Sequence, residues 1–254
     1  MGLRRERNLV QYRMWLATAV LCCLSALVSF CAHSLKATDI QCVRHQSSWS
    51  PATEAIEYHW ETWEDFDFFT KSGYFQRKPS DEVDQAWDAL LPKHPISIPA
   101  SKLTALGQSD PNDDAAWIRH PDDANQILAL PEYAVQLGCL NLLRQWSFSP
   151  QRDAWAHDSK MDYSYLASFQ GDESIVWQRM HQCLERIKQA LMCWGDTGTI
   201  IWHYPTEPGE RVHFDMGTLH KCRNFDRIQD WTKANQVETV TMDNLWWSGD
   251  DNIQ

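Results

Sequence analysis

Two stretches of the chain carry cysteine and basic side chains at the same spacing. Cys139-Leu140-x-x-Leu143-Arg144-Gln145 recurs 44 residues later as Cys183-Leu184-x-x-Ile187-Lys188-Gln189. Five residues correspond to roughly 140° around an α-helix, so each cysteine can face a partner helix while Arg144 or Lys188 reaches solvent. Two such helices packed together would place the residues around both cysteines at one shared site. A duplicated helical pair without chemistry fits the pattern equally well.

Histidine near these cysteines could transfer protons. His181 lies two residues before Cys183, inside the second copy of the repeat. His220 and Cys222 form another pair, but two residues apart share a face only on an extended backbone. The chain contains no H-x-x-x-H, H-E-x-x-H or C-x-x-C sequence, so its spacing predicts no metal site. G-x-S-x-G and P-loop sequences are also absent, which removes support for common hydrolase and nucleotide chemistry.

An apolar stretch near the N-terminus predicts a membrane anchor. Met14 to Ala32 carries no charge and is long enough to cross a hydrocarbon core of ~30 Å as one helix. A cleaved signal peptide is the main alternative, although its apolar core is usually only ~7 to 15 residues long. Four arginines and one glutamate precede the stretch, which predicts a cytosolic N-terminus over residues 1–13. Residues 33–254 then form one domain in the lumen of the secretory pathway.

The charge of this domain excludes one class of partner. Residues 1–36 carry five positive charges and one negative, so the net charge of −11 for the whole chain leaves −15 on the remainder. Nucleic acid is not expected as a partner for so acidic a domain.

Eight cysteines raise the question of disulfides. Three lie in the anchor, and five lie in a compartment that permits disulfides: Cys42, Cys139, Cys183, Cys193 and Cys222. We expect Cys193 to pair with Cys222, closing a loop of about 30 residues that stabilises the fold by roughly 3 kcal/mol.

Apolar periodicity and turn residues predict a mainly α-helical domain with a few short strands. The domain is built around the two repeat helices, one from Pro131 to about Gln145 and one from about Glu173 to Cys193. Met180, Leu184, Ile187 and Leu191 form the expected apolar stripe of the second helix. Further helices are predicted over 81–91 and 224–235, a strand over 199–204, loops between 108 and 125, and an extended arm over 45–74.

Several phrases along the chain resemble the UstYa-like family of membrane-anchored fungal mycotoxin-biosynthesis proteins. Trp49-Ser50-Pro51-Ala52 resembles its Y-S-P-A box, and Glu82 to Leu91 its acidic helix. Cys183 to Cys193 with Asp196-Thr197 resembles its second core helix, and Cys222 with Asp230-Trp231 its closing cysteine and tryptophan. The resemblance implies oxidative tailoring or cyclisation of a small-molecule or peptide metabolite.

The family's H-x-x-H-C motif, which the resemblance places once on each repeat helix, is degenerate here. Val135 and Gly138 precede Cys139, and Arg179 and Gln182 precede Cys183, so all four histidines are replaced. His181 is displaced by one position, about 100° around the helix.

Three hypotheses follow from this combination. The first is an active enzyme that uses His181, Cys183 and Cys139, with a further histidine such as His157 or His203. The second is a catalytically silent partner that forms a complex with an intact relative. The third is a structural or trafficking protein. The cofactor stays unknown in each case. Independently of these hypotheses, a homodimer or a heterodimer with a related protein is expected.

Overall fold

The computed structural model describes residues 2–34, 37–62, 79–108, 117–148, 167–204, 213–215 and 217–240. The chain divides into two compact units, Met1–Ser47 and Ser48–Gln254. His157, named above as a candidate, lies outside the described residues.

The first unit consists of two helices. Helix α1 spans Gly2–Ser34, and its segment Leu9–Ala32 is long and apolar enough to cross a membrane. The predicted span therefore lies inside one continuous helix. Helix α2 spans Asp39–Gln46 and begins at Thr38, whose Oγ1 accepts a hydrogen bond from the Gln41 amide while the Gln41 side chain accepts one from the Thr38 amide.

Helices carry most of the regular structure of the second unit. They are α3 (Asp81–Ala89), α4 (Glu132–Ser147), α5 (Glu173–Cys193) and α6 (Phe225–Ala234). Short 3-10 turns lie at Pro51–Ala55, Ala100–Lys102, Thr104–Leu106 and Ala167–Phe169. Ser80 and Asn224 cap α3 and α6 through their side-chain oxygens, which satisfies amides that a first turn leaves without a helical partner. The prediction of a mainly helical fold with a few short strands is confirmed.

Seven short strands form three antiparallel sheets among the described residues. Strand β1 (Tyr58–Thr62) pairs with β7 (Leu219–Arg223). Strand β4 (Asp123–Ala129) lies between β2 (Ile96–Pro99) and β3 (Arg119–His120). Strand β5 (Ile201–His203), inside the predicted strand, pairs with β6 (His213–Asp215).

Two of the predicted irregular regions contain strands. The predicted loop over 108–125 includes β3 and the start of β4, and its polar residues serve the tight turn between them. His120 Nδ1 accepts from the Asp122 amide at 3.0 Å, and Asp123 Oδ1 accepts from the Asn125 amide at 2.9 Å. The extended arm likewise contains the end of α2 and all of β1.

The core of the site is the contact between α4 and α5. Its buried residues are Cys139, Leu142, Met180 and Cys183. The predicted stripe of α5 is wrong at two of its four positions, because Leu184 and Leu191 are 59% and 70% exposed. Cys183 takes the central place that the stripe assigned to Leu184.

Candidate functional site

A disulfide joins the two repeat helices at equivalent positions. The Sγ atoms of Cys139 on α4 and Cys183 on α5 are 2.21 Å apart. Glu132 pairs with Arg186 at 2.6 Å on one side of this bond, and the rings of Trp146 and Trp177 meet edge to face on the other. The two helices therefore run antiparallel, and both repeat copies lie at one site as their sequence predicted.

The predicted pairing of Cys193 with Cys222 is wrong. Neither forms a disulfide in the structure, and Cys42 forms none either. The prediction relied on the spacing of Cys193 and Cys222 along the sequence. In the structure the packing of α4 on α5 brings together two cysteines that are 44 residues apart. In the bonded form neither Cys139 nor Cys183 is a free thiol, so a catalytic role for either requires that the bond first be reduced.

His181 lies in a shallow groove along α5. The Trp177 ring packs against its imidazole with a centroid distance of 5.5 Å. The groove has a volume of about 410 Å³ and opens widely to solvent. Its described lining comes from one side of α5: Gln178, His181, Gln182, Glu185, Arg186 and Gln189. His181 is the imidazole of this group, a side chain that can either donate or accept a proton.

Arg144 does not reach solvent as the repeat pattern predicted. Its side chain is 9% exposed and forms an ion pair with Asp84 of α3. The guanidinium also lies over the Trp87 ring and donates through Nε to the buried Asn141 side chain at 2.9 Å. The equivalent Lys188 behaves as predicted, since its side chain is 54% exposed. The two copies of the repeat therefore differ: α4 is fixed to α3, and α5 presents its basic residue to solvent.

The arginine also lies close to a second carboxylate of α3. Burial raises the pKa of Asp88, repulsion from Asp84 raises it further, and Arg144 partly opposes both effects. The carboxylates of α3 thus form a charge network with Arg144 of α4. The sequence predicted a helix over 81–91 and its resemblance to the family's acidic helix, but no partner for its carboxylates, because acidic residues near a helix start are common for electrostatic reasons alone.

A second group of chemically capable side chains lies on the ribbon formed by β1 and β7. The register places His59 opposite Cys222 and Glu61 opposite His220. The extended backbone that a shared face of His220 and Cys222 requires is therefore present. His220 Nδ1 lies 3.6 Å from Asp196 Oδ2, in the segment that follows α5.

Known proteins are similar to this chain over most of its length. The family model described as "Mycotoxin biosynthesis protein UstYa" matches residues 3–235. The chain belongs to the UstYa family. The relatives of UstYa type include the UstYa family oxidase phomYc of Diaporthe leptostromiformis, 28% identical over 79% of this chain and 74% of the relative.

Two other UstYa relatives show the range of names in the family. The transacylase cctO of Talaromyces islandicus is 26% identical over 81% of this chain and 66% of its own length. The oxidase ustYa of Aspergillus flavus is 26% identical over 66% of each chain. No solved structure matches this chain. The family and its relatives support a role in the biosynthesis of a fungal secondary metabolite.

The positions where the UstYa resemblance expects histidines have other uses here. Gly138 is buried on α4 and Val135 is half-buried, whereas Gln182 is exposed in the groove. Arg179 donates through Nη1 to the backbone carbonyls of Ser168 and Gln170, at 3.3 and 2.9 Å. This arginine fixes the turn before α5, and none of the four side chains titrates near neutral pH.

The described residues include no group of three or more His, Cys, Asp or Glu side chains placed to hold a metal ion. The backbone of His203 lies in β5 opposite His213 of β6.

Proposed function

We propose that this UstYa-family chain is a membrane-anchored protein that carries out oxidative tailoring or cyclisation of a secondary metabolite. The observation that carries the proposal is the groove along α5. In it His181 lies beside Gln182, one of the degenerate motif positions, and the Cys139–Cys183 disulfide joins α5 to α4. The names of the oxidase relatives support oxidation as the reaction class. The groove side chains would bind and orient a small-molecule or peptide-derived metabolite, and His181 would move a proton.

The anchor gives this activity a location. Leu9–Ala32 would cross the membrane once, and the arginines before it would stay in the cytosol. The second unit would then work in the lumen of the secretory pathway, where a disulfide between Cys139 and Cys183 persists.

Metabolite analysis of a producing strain tests the role of His181. We expect His181→Ala to change the metabolite profile, because the groove loses its proton-transfer group. His45→Ala is the matched control, since His45 is also exposed but lies in the first unit. A profile that is identical in both variants and in the parent strain would contradict an active role for the groove.

A second candidate function is that of a silent partner that completes an intact relative. It is favoured by three exposed apolar side chains of α5 that follow one another at intervals of seven residues: Trp177, Leu184 and Leu191. Seven-residue spacing aligns apolar side chains for contact with another helix. The occupant we propose is a UstYa-family protein with both motifs intact.

Co-purification of the full chain with such a relative tests this candidate. Leu184→Glu should abolish association while leaving the melting temperature of the isolated chain unchanged, because the side chain is already solvated. Lys188→Glu is a control for added negative charge on the same helix. Undiminished association of the Leu184→Glu variant would rule out this surface.

A further inference from the structure

The ribbon of β1 and β7 places four reactive side chains on one face. Directly opposed residues of an antiparallel pair point to the same side of a sheet, and so do residues two apart on one strand. His59, Glu61, His220 and Cys222 meet both conditions through the pairs His59–Cys222 and Glu61–His220. Their Cβ atoms across the ribbon are ~4.5–5.5 Å apart by general sheet geometry, a distance that an imidazole and a thiol can bridge.

Glu61 sets the orientation of His59. The two side chains approach at 3.2 Å between Nε2 of His59 and Oε2 of Glu61. A carboxylate can only accept, so Nε2 is the donor in this contact, and in the neutral imidazole Nδ1 is then the acceptor. A carboxylate, an imidazole and a thiol in this order activate a protein nucleophile once the imidazole lies within hydrogen-bond reach of the thiol, and the register puts His59 directly opposite Cys222.

His220 gives the thiol a second imidazole neighbour. Its side chain is 14% exposed, and it is held on both nitrogens, by Asp196 Oδ2 at 3.6 Å and by Thr218 Oγ1 at 3.3 Å. The Asp196 carboxylate faces His220 Nδ1, so a protonated His220 would place positive charge on the same face of the ribbon as the sulfur. Positive charge near a cysteine stabilises the thiolate, which is the nucleophilic form.

We propose that Cys222 is an activated thiol that accepts an acyl group, with His59 as its base and Glu61 as the residue that positions His59. The acyl donor is an ester or thioester of a small metabolite. This activity goes beyond the proposed oxidative role and uses no residue of the α5 groove.

The transfer takes place in two steps, acylation of Cys222 and transfer of the acyl group to an acceptor. His59 takes the thiol proton, and Cys222 Sγ attacks the acyl carbon. The bond from that carbon to the leaving oxygen or sulfur breaks, and the leaving group receives the electron pair and the proton from His59. An alcohol or amine of the acceptor then attacks the thioester carbon, gives its proton to His59, and releases the Cys222 thiolate. No oxidant or reductant takes part.

Thiol alkylation in the full chain measures activation without knowledge of the substrate. Iodoacetamide is added to the detergent-solubilised protein at a series of pH values, and peptide mass spectrometry follows each cysteine. We expect Cys222 to reach half of its maximal rate at a lower pH than in the His59→Gln variant. At pH 7 the variant should react roughly three- to tenfold more slowly, and Glu61→Gln should show a smaller loss in the same direction.

Two controls separate activation from accessibility. His45→Gln removes an exposed histidine elsewhere and should leave the rate at Cys222 unchanged. Cys193, a free and exposed thiol, reports within each sample on any general change in reactivity. Equal pH profiles for the parent chain and the His59→Gln variant would overturn the proposal, as would alkylation of Cys222 only after unfolding.

Acyl capture is tested with p-nitrophenyl acetate as the probe. The proposal predicts an acetyl group on Cys222 in the parent chain, loss of that group on adding a primary amine, and at least a threefold slower acetylation in the His59→Gln variant. Acetylation confined to lysine residues, or equal at Cys193 and Cys222, would overturn it.

Discussion

At the scale of single residues, the two copies of the repeat show what a sequence pattern cannot assign. Arg144 and Lys188 hold the same place relative to their cysteines, and spacing predicts the same exposure for both. Arg144 instead pairs with Asp84, which lies 60 residues away along the chain. That neighbour comes from the packing of α3 on α4, which no local spacing encodes.

Removing each basic residue should therefore have unequal effects on stability. Arg144→Ala leaves the mostly buried Asp84 without its cation, and we expect a loss of about 2–4 kcal/mol in the free energy of unfolding. Lys188→Ala, at the equivalent position, should cost less than about 0.5 kcal/mol because its pair with Glu185 is exposed. Urea unfolding of the full chain in detergent measures both, and equal losses would contradict the asymmetry.

The raised pKa of Asp88 gives a pH dependence with a definite sign. The folded chain holds this proton at pH values where the unfolded chain has released it, so this contribution to stability is lost as pH rises through that window. Asp88→Asn should raise the free energy of unfolding at pH 7, and the gain should vanish in acid below the unfolded pKa. Unfolding curves at both pH values test this, and a variant less stable than the parent at pH 7 would contradict it.

At the scale of elements, helices were predictable and strand partners were not. The bounds of α5 agree with the prediction because its periodicity, its acidic start and its end at Cys193 are all local signals. Strand β1 was missed because its partner β7 lies near the other end of the chain. The contact between α4 and α5 was predicted from the repeat. The predicted disulfide was nevertheless Cys193–Cys222, whereas the structure has Cys139–Cys183.

The disulfide between α4 and α5 should contribute measurably to stability. Closing a loop with a sequence separation of 44 corresponds to about 4 kcal/mol on the chain-entropy estimate, with measured values often lower. We expect Cys139→Ala to lower the free energy of unfolding by about 2–4 kcal/mol and Cys193→Ala to leave it nearly unchanged. A peptide map without reductant should show the Cys139–Cys183 link, and a link between Cys193 and Cys222 would contradict the structure.

At the scale of the whole molecule, the apolar helix and the arginines before it predict one membrane span with a cytosolic N-terminus and a luminal domain. This topology can be tested with a glycosylation site. The natural chain contains no N-x-[ST] acceptor. Asp114→Thr creates one with Asn112, and expression with microsomes should then add a glycan that peptide-N-glycosidase removes. An N-terminal tag should stay attached to the glycosylated chain. Glycosylation with loss of the tag would indicate a cleaved signal peptide, and no glycosylation would contradict a luminal domain.

The central claim is that this UstYa-family chain takes part in tailoring a secondary metabolite, and gene deletion in the producing strain tests it most directly. Metabolites of the deletion strain are compared by mass spectrometry with those of the same strain carrying the restored gene. Oxidative tailoring predicts that a late product disappears, a more reduced precursor accumulates, and restoration reverses both. An unchanged metabolite profile in the deletion strain would contradict the claim.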